Sequence, residues 1–186
     1  MRAVRLLHTS DVHGELDRLC ALLWGPDYGV WVDTGDLQPD VWRDGPAANF
    51  ERQQAWWADG GVAARVKDAL GDRPAVICYG NHDHFEFGGL LGAHHVGPHG
   101  CVRVRGLCFA GFADTPLIAR GYFPRQRPEP ALRALVQAAL AQKPDVLVTH
   151  APPAGPWSNR PEWGLPGLAE ALSRARGVQA HRTVWP

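Results

Sequence analysis

The chain has 186 residues, room for one domain with a sizeable core, and its 45% hydrophobic and 20% charged residues are ordinary for a soluble globular protein. Nineteen Lys and Arg balance nineteen Asp and Glu, which excludes a general nucleic-acid or anionic-membrane surface built on net charge. No apolar run approaches the ~20 residues of a membrane span, and Met1 to Leu7 is too short and polar for a secretory signal, so a cytoplasmic location is expected.

Residues 3–8 are a short apolar run with strand character that stops at Thr9-Ser10-Asp11-Val12-His13-Gly14. Residues 15–24 place Leu16, Leu19, Cys20 and Leu23 at helical spacing. Val30-Trp31-Val32 reads as a second strand, closing on Asp33-Thr34-Gly35-Asp36. From Asn49 to Leu70 the pattern is helical, with Gly60-Gly61 splitting it in two. A third strand over 75–79 runs into Gly80-Asn81-His82-Asp83, and the glycine- and histidine-rich stretch from His84 to His99 reads as a solvated loop.

Residues 101–112 alternate around Arg105-Gly106 and predict a β-hairpin with Val102, Val104, Leu107 and Phe109 facing inward. Residues 128–142 predict a helix with Leu132, Leu135, Val136 and Leu140 on one face. A strand over 145–149 ends at His150, a Pro- and Gly-rich irregular loop covers 152–166, and a last helix spans 168–176. Strands alternating with helices favour a layered α/β architecture, with the hairpin making the sheets mixed. Cys20, Cys78, Cys101 and Cys108 have no CxxC spacing and read as small buried hydrophobes rather than a zinc knuckle or disulfide frame.

Four strand-like runs thus end in polar clusters: Asp11-Val12-His13, Gly35-Asp36, Asn81-His82-Asp83 and His150. Sites in α/β sheets gather beyond the carboxyl ends of the strands. Strands sharing a sheet would bring Asp11, His13, Asp36, Asn81 and His150 to one crevice. These oxygen and nitrogen donors, without thiolate, suit Mn, Fe, Zn or Ni, and five donors exceed what one tetrahedral zinc with an open position uses. Two divalent ions, Mn first among them, are therefore expected.

In order and in placement after strands, the blocks Asp11-x-His13, Gly35-Asp36, Gly80-Asn81-His82-Asp83 and Thr149-His150 resemble those of the calcineurin-like metallophosphoesterase family. Thr149-His150-Ala151-Pro152-Pro153 is similar to its small cyclic-phosphodiesterase-like branch. The resemblance implies an α/β/β/α sandwich in which Asp11 and His13 bind a first metal, Asp36 bridges, and Asn81 and His150 bind a second. It further implies that His82 protonates the leaving oxygen while Asp83 orients its ring, and that an attacking water is activated between the ions. The substrate would be a phosphomonoester or phosphodiester.

The family closes its metal set with a Gly-His-x-His block. Here the only histidine after His150 is His181. Read generously, Ala180-His181-Arg182-Thr183 is a degenerate form of that block and His181 is a ligand. Read strictly, His181 belongs to the strand before the block, and the domain is truncated at its C-terminal edge. That edge would be open to pairing with a second copy of the chain, which predicts a homodimer. A catalytically impaired member of the fold, serving as a binding or scaffold module, is the alternative function.

Overall fold

The structure is a computed structural model describing residues 3–25, 27–59, 61–118, 122–158 and 160–174. His181, the degenerate closing block and the C-terminal edge expected to pair with a second copy all lie outside the described residues. No helix among the described residues is long and apolar enough to cross a membrane.

Strand β1 (Leu6–Thr9) leads through helix α1 (Leu16–Leu23) to β2 (Val30–Asp33). Helices α2 (Pro46–Ala58) and α3 (Val62–Leu70) follow, then β3 (Ala75–Ile77), a short α4 (Gly88–Leu91) and β4 (His94–His95). These four strands form one parallel sheet in the order β1-β2-β3-β4. The second sheet holds β5 (Val102–Val104), antiparallel to β6 (Leu107–Phe112), and β7 (Val146–Thr149), parallel to β6. Helix α5 (Glu129–Ala141) connects β6 to β7, and α6 (Leu168–Arg174) ends the described chain. The expected layered α/β sandwich with parallel and mixed sheets is what the chain adopts.

Side-chain alternation explains the layering. On β6, Leu107 and Phe109 face the first sheet and join its core, whereas Phe112 faces the other way, toward Leu132, Val136 and Ala139 of α5 and Leu168 of α6. On β7, Val146 and Val148 likewise turn to the first sheet and Leu147 to the helices. Leu19, Leu23, Val66 and Leu70 of α1 and α3 cover the first sheet. Strand β2 is buried along its whole length, as expected for a strand flanked by partners and covered on both faces.

Both glycine signals behave as read. Gly61, with φ +68°, caps α3 where the long helical pattern was expected to break, and Arg105 and Gly106 take φ +51° and +83° in the β5–β6 turn. The loop expected over 84–99 is partly ordered instead: α4 forms there, and His94–His95 pairs with Val76 and Ile77 of β3. A two-residue strand carries no periodicity that a sequence pattern could reveal. The cysteine reading also needs correction. Cys101 and Cys108 are joined by a disulfide, their Cα atoms 5.6 Å apart, because the hairpin sets them diagonally across β5 and β6. Cys20 and Cys78 are buried and free, as expected.

Candidate metal centre

Three loops meet where the parallel strands end, and the β1–β2 pairing continues into two of them. Asp11 N–H donates to the Gly35 carbonyl at 2.8 Å, His13 N–H to Asp36 at 2.9 Å and Gly14 N–H to Leu37 at 2.9 Å. Asp11, His13 and Asp36 take φ of +52°, +47° and +56°, left-handed values that cost a non-glycine residue about 1–2 kcal/mol. Among the described residues only Arg105, in its hairpin turn, and Lys143, just past α5, share that sign without being glycine. The third loop arrives through close backbone approach. A Cβ on Gly35 would fall 2.2 Å from the Gly80 nitrogen, and one on Gly80 would fall 2.1 Å from Asp36 Oδ1. Only glycine fits at either position.

His150 enters from the second sheet, at the end of β7. Its Nδ1 donates to the Thr34 carbonyl at 2.9 Å, which leaves Nε2 facing Asn81 Oδ1 at 3.0 Å and Asp36 Oδ2 at 3.4 Å. Asp11 completes a group with Asp36 and His150, their ligand atoms within 4.8 Å of one another. In the neutral ring Nε2 carries a lone pair, so three electron-rich atoms face one another across a small space. Such a set is stable only around a proton or a cation. Carboxylate, amide and imidazole donors together fit a divalent transition-metal ion.

The electrostatics carry the same signature. Burial would depress His150, but the Asp36 carboxylate above all, with Asp11 and the Thr34 carbonyl, lifts its pKa to about 10. Burial would raise Asp36, yet His150, then His82 and His13, hold it at about 2. Both groups are tuned toward the charged pair.

His82 lies beside this group, its N–H donating to Asp36 Oδ1 at 2.7 Å. The contact expected between Asp83 and the His82 ring is made by another carboxylate. The His82 Nδ1 is hydrogen-bonded to Asp40, whose other oxygen stands 3.6 Å from His13 Nδ1. Burial opposes a charge on His82, but the Asp40 bond and the Asp36 charge raise its pKa above the ordinary value. Asp83 is fully buried, and its carboxylate is engaged by other groups. It accepts N–H bonds from Asp36 and Gly80, both at 2.8 Å, and from the backbone and side chain of Gln38 at 3.3 and 3.1 Å. The residue that looks like a partner of His82 in sequence is a brace between two loops in space.

The structure therefore brings Asp11, Asp36, Asn81 and His150 together, with His82 alongside. His13 is exposed and stands outside the tight group, edge-on to His82 with ring centroids 5.3 Å apart. A family model described as calcineurin-like phosphoesterase matches residues 4–180. The chain belongs to the calcineurin-like phosphoesterase family. Membership supports metal-dependent phosphoester hydrolysis in general and the use of divalent metals. Comparison with curated proteins returns no match.

Several residues that shape this calcineurin-like centre carry no sequence signal of their own. Gln53 of α2 is buried, accepts the N–H groups of His84 and Phe85 at 2.7 and 3.0 Å, and donates to the His82 carbonyl at 2.7 Å and the Pro39 carbonyl at 3.2 Å. Asp40 follows a proline in a polar loop and looks like a turn residue. Arg125 donates to the Asp83 carbonyl, lies over the Tyr79 ring at 4.6 Å and pairs with Glu86 at 3.4 Å. Arg127 pairs with Asp114 at 2.9 Å.

Proposed function

We propose that the chain is a dinuclear-metal phosphoesterase that hydrolyses phosphomonoesters or phosphodiesters, with Mn the preferred ion. The observation that carries this reading is the facing set of His150 Nε2, Asn81 Oδ1 and Asp36 Oδ2, with a carboxylate-paired His82 next to it. Asn81 and His150 would hold one ion, Asp11 and His13 the other, and Asp36 has two oxygens to share between them. Bound divalent ions supply polarisation of the phosphoryl oxygens and a water acidified to near neutral pH.

The side chains do the rest. Asp40 occupies Nδ1 of His82 and so turns the opposite nitrogen toward an incoming ester, as a carboxylate does for a general acid. The water oxygen forms a new bond to phosphorus as the ester P–O bond breaks, and the His82 proton passes to the departing oxygen. The proton lost by the water returns to solvent or to His82 in the next cycle.

Purified protein supplied with Mn is expected to bind about two ions per chain and to hydrolyse p-nitrophenyl phosphate or its bis-ester, as two-metal sites do. His82→Ala and Asp36→Asn should abolish that turnover. Protein that is metal-loaded yet inert on both esters would overturn the assignment.

A further inference from the structure

One buried amide lies behind two of the contacts that fix the His82 ring. Asn49, near the start of α2, is wholly buried. Ahead of it Val41 is extended, with φ −128° and ψ 89°, so its N–H and C=O point the same way. Asn49 grips both: Oδ1 accepts the Val41 N–H at 2.8 Å and Nδ2 donates to the Val41 carbonyl at 3.1 Å. That N–H belongs to the peptide bond leaving Asp40, the carboxylate bonded to His82 Nδ1. The peptide is planar, so the grip fixes the backbone from which the Asp40 side chain projects.

The same Nδ2 reaches a second neighbour of the ring. It donates to the Tyr122 hydroxyl at 2.9 Å, and that hydroxyl lies 3.4 Å from the Val41 carbonyl. Tyr122 packs edge-on against Phe123, with centroids 4.7 Å apart. The Phe123 ring in turn lies 4.5 Å from the His82 imidazole, tilted by 56°. Both aromatics belong to the segment joining β6 to α5, tied at its base where Thr115 N–H donates to the Arg125 carbonyl at 2.8 Å. Two lines of contact therefore start at Asn49, one through Asp40 to Nδ1 and one through Tyr122 and Phe123 to the ring. The grip needs a donor and an acceptor on separate atoms, which Asn supplies and Asp or Ala does not.

We infer that Asn49 is a positioning residue for the His82 acid, holding Asp40 and Phe123 where together they aim the imidazole at the departing oxygen. This rests on the hydrolase reading, in which His82 gives its proton to that oxygen. The metal donors are braced elsewhere, Asp36 by Asp83 and His150 by the Thr34 carbonyl, so loss of Asn49 should spare metal binding.

The test uses the Mn-loaded full chain and two aryl esters, p-nitrophenyl and phenyl phosphate, or their methyl diesters if only diesters turn over. Phenolate is the stronger base and needs the acid more. In Asn49→Ala, kcat on the phenyl ester should fall about thirtyfold and on the p-nitrophenyl ester no more than about threefold, with KM and Mn content near wild type. A purely structural role would lower both alike, and equal losses would overturn the inference. Tyr122→Phe removes one hydroxyl and should shift the same ratio about threefold. An unchanged ratio there would overturn the inference too, including where Asn49→Ala does not fold. Independently of turnover, proton NMR of the metal-free chain should show the His82 Nδ1–H, absent in His82→Ala, exchanging with water at least about tenfold faster in Tyr122→Phe or Asn49→Ala. Faster exchange in a chain whose wild type hydrolyses neither ester would defeat the hydrolase reading and leave Asn49 as the residue that holds the imidazole. Unchanged exchange would overturn the inference whatever the activity.

Discussion

Asp40 touches two imidazoles with one carboxylate, bonding His82 Nδ1 through one oxygen and facing His13 Nδ1 at 3.6 Å through the other. Its removal should therefore separate proton transfer from metal binding. In Asp40→Asn, kcat is expected to fall about 10²-fold, the usual scale for a mispositioned acid, while metal content stays near wild type. His82 is held above its ordinary pKa, against burial, by that carboxylate and by Asp36. Losing Asp40 lowers it, so the alkaline limb of the kcat–pH profile should move to lower pH. An unchanged limb would show that His82 does not act as the acid. Gly80 invites a second substitution. A methyl group there would sit 2.1 Å from Asp36 Oδ1, and Gly80→Ala should displace the Asp36 carboxylate and weaken Mn binding at least about tenfold, measured by titration. Asp11, Asp36, Asn81 and His150, which the structure brings close together, are visible in the sequence because each closes a recognisable apolar run. Asp40 escapes it because a lone acid after a proline carries no pattern, and only the three-dimensional turn brings it to His82.

Loops become a site here because secondary-structure elements brace them from behind. Asp83 ties the loop after β2 to the loop after β3 by accepting three backbone N–H groups, and Gln53 of α2 does the same for residues 82–85. Asp83→Ala leaves buried donors unsatisfied and is expected to destabilise the fold by about 3 kcal/mol, read from chemical denaturation, with metal affinity lost in parallel. Asp40→Asn, whose partners are side chains at the rim, should leave the denaturation midpoint almost unmoved. That contrast distinguishes the brace from the proton-transfer pair. The long elements were legible because their periods are physical: α1, α3 and α5 bury a stripe, β6 alternates between two cores, and glycines mark the breaks. The missed ones have a common cause. α4 and β4 are four and two residues long, too short for any period, and β4 exists only because β3 offers an edge to pair with. Gln53 sits on a helix whose apolar pattern is weak, so its polar core role could not be separated from ordinary surface chemistry.

Both sheets contribute to the centre, with Asp36 from the first and His150 from the second, so protonation, metal binding and stability of the whole fold are linked. Without metal, the pair is a buried His⁺–carboxylate. Asp36 has a folded pKa near 2 against 3.8, so its contribution to stability is present above about pH 4 and lost as pH falls through 2. His150 has a folded pKa near 10 against 6.5, so its contribution is full below about pH 6.5 and lost as pH rises through 10. The metal-free protein should accordingly lose thermal stability as pH is raised from 6.5 toward 10. On the proposed reading a cation would take the place of the His150 proton, so metal binding would release it in that range. Two consequences can be measured together. Calorimetry in buffers of different ionisation enthalpy should register proton release on Mn binding near pH 7.5, and His150→Gln should lower that release by about one proton per chain. The Tm gain from a fixed excess of Mn should also grow with pH, because the proton competing for Nε2 becomes scarcer. A Tm gain that shrank from pH 6.5 to 9 would mean that the facing atoms of His150, Asn81 and Asp36 are held by internal hydrogen bonding alone, and that the ion binds elsewhere.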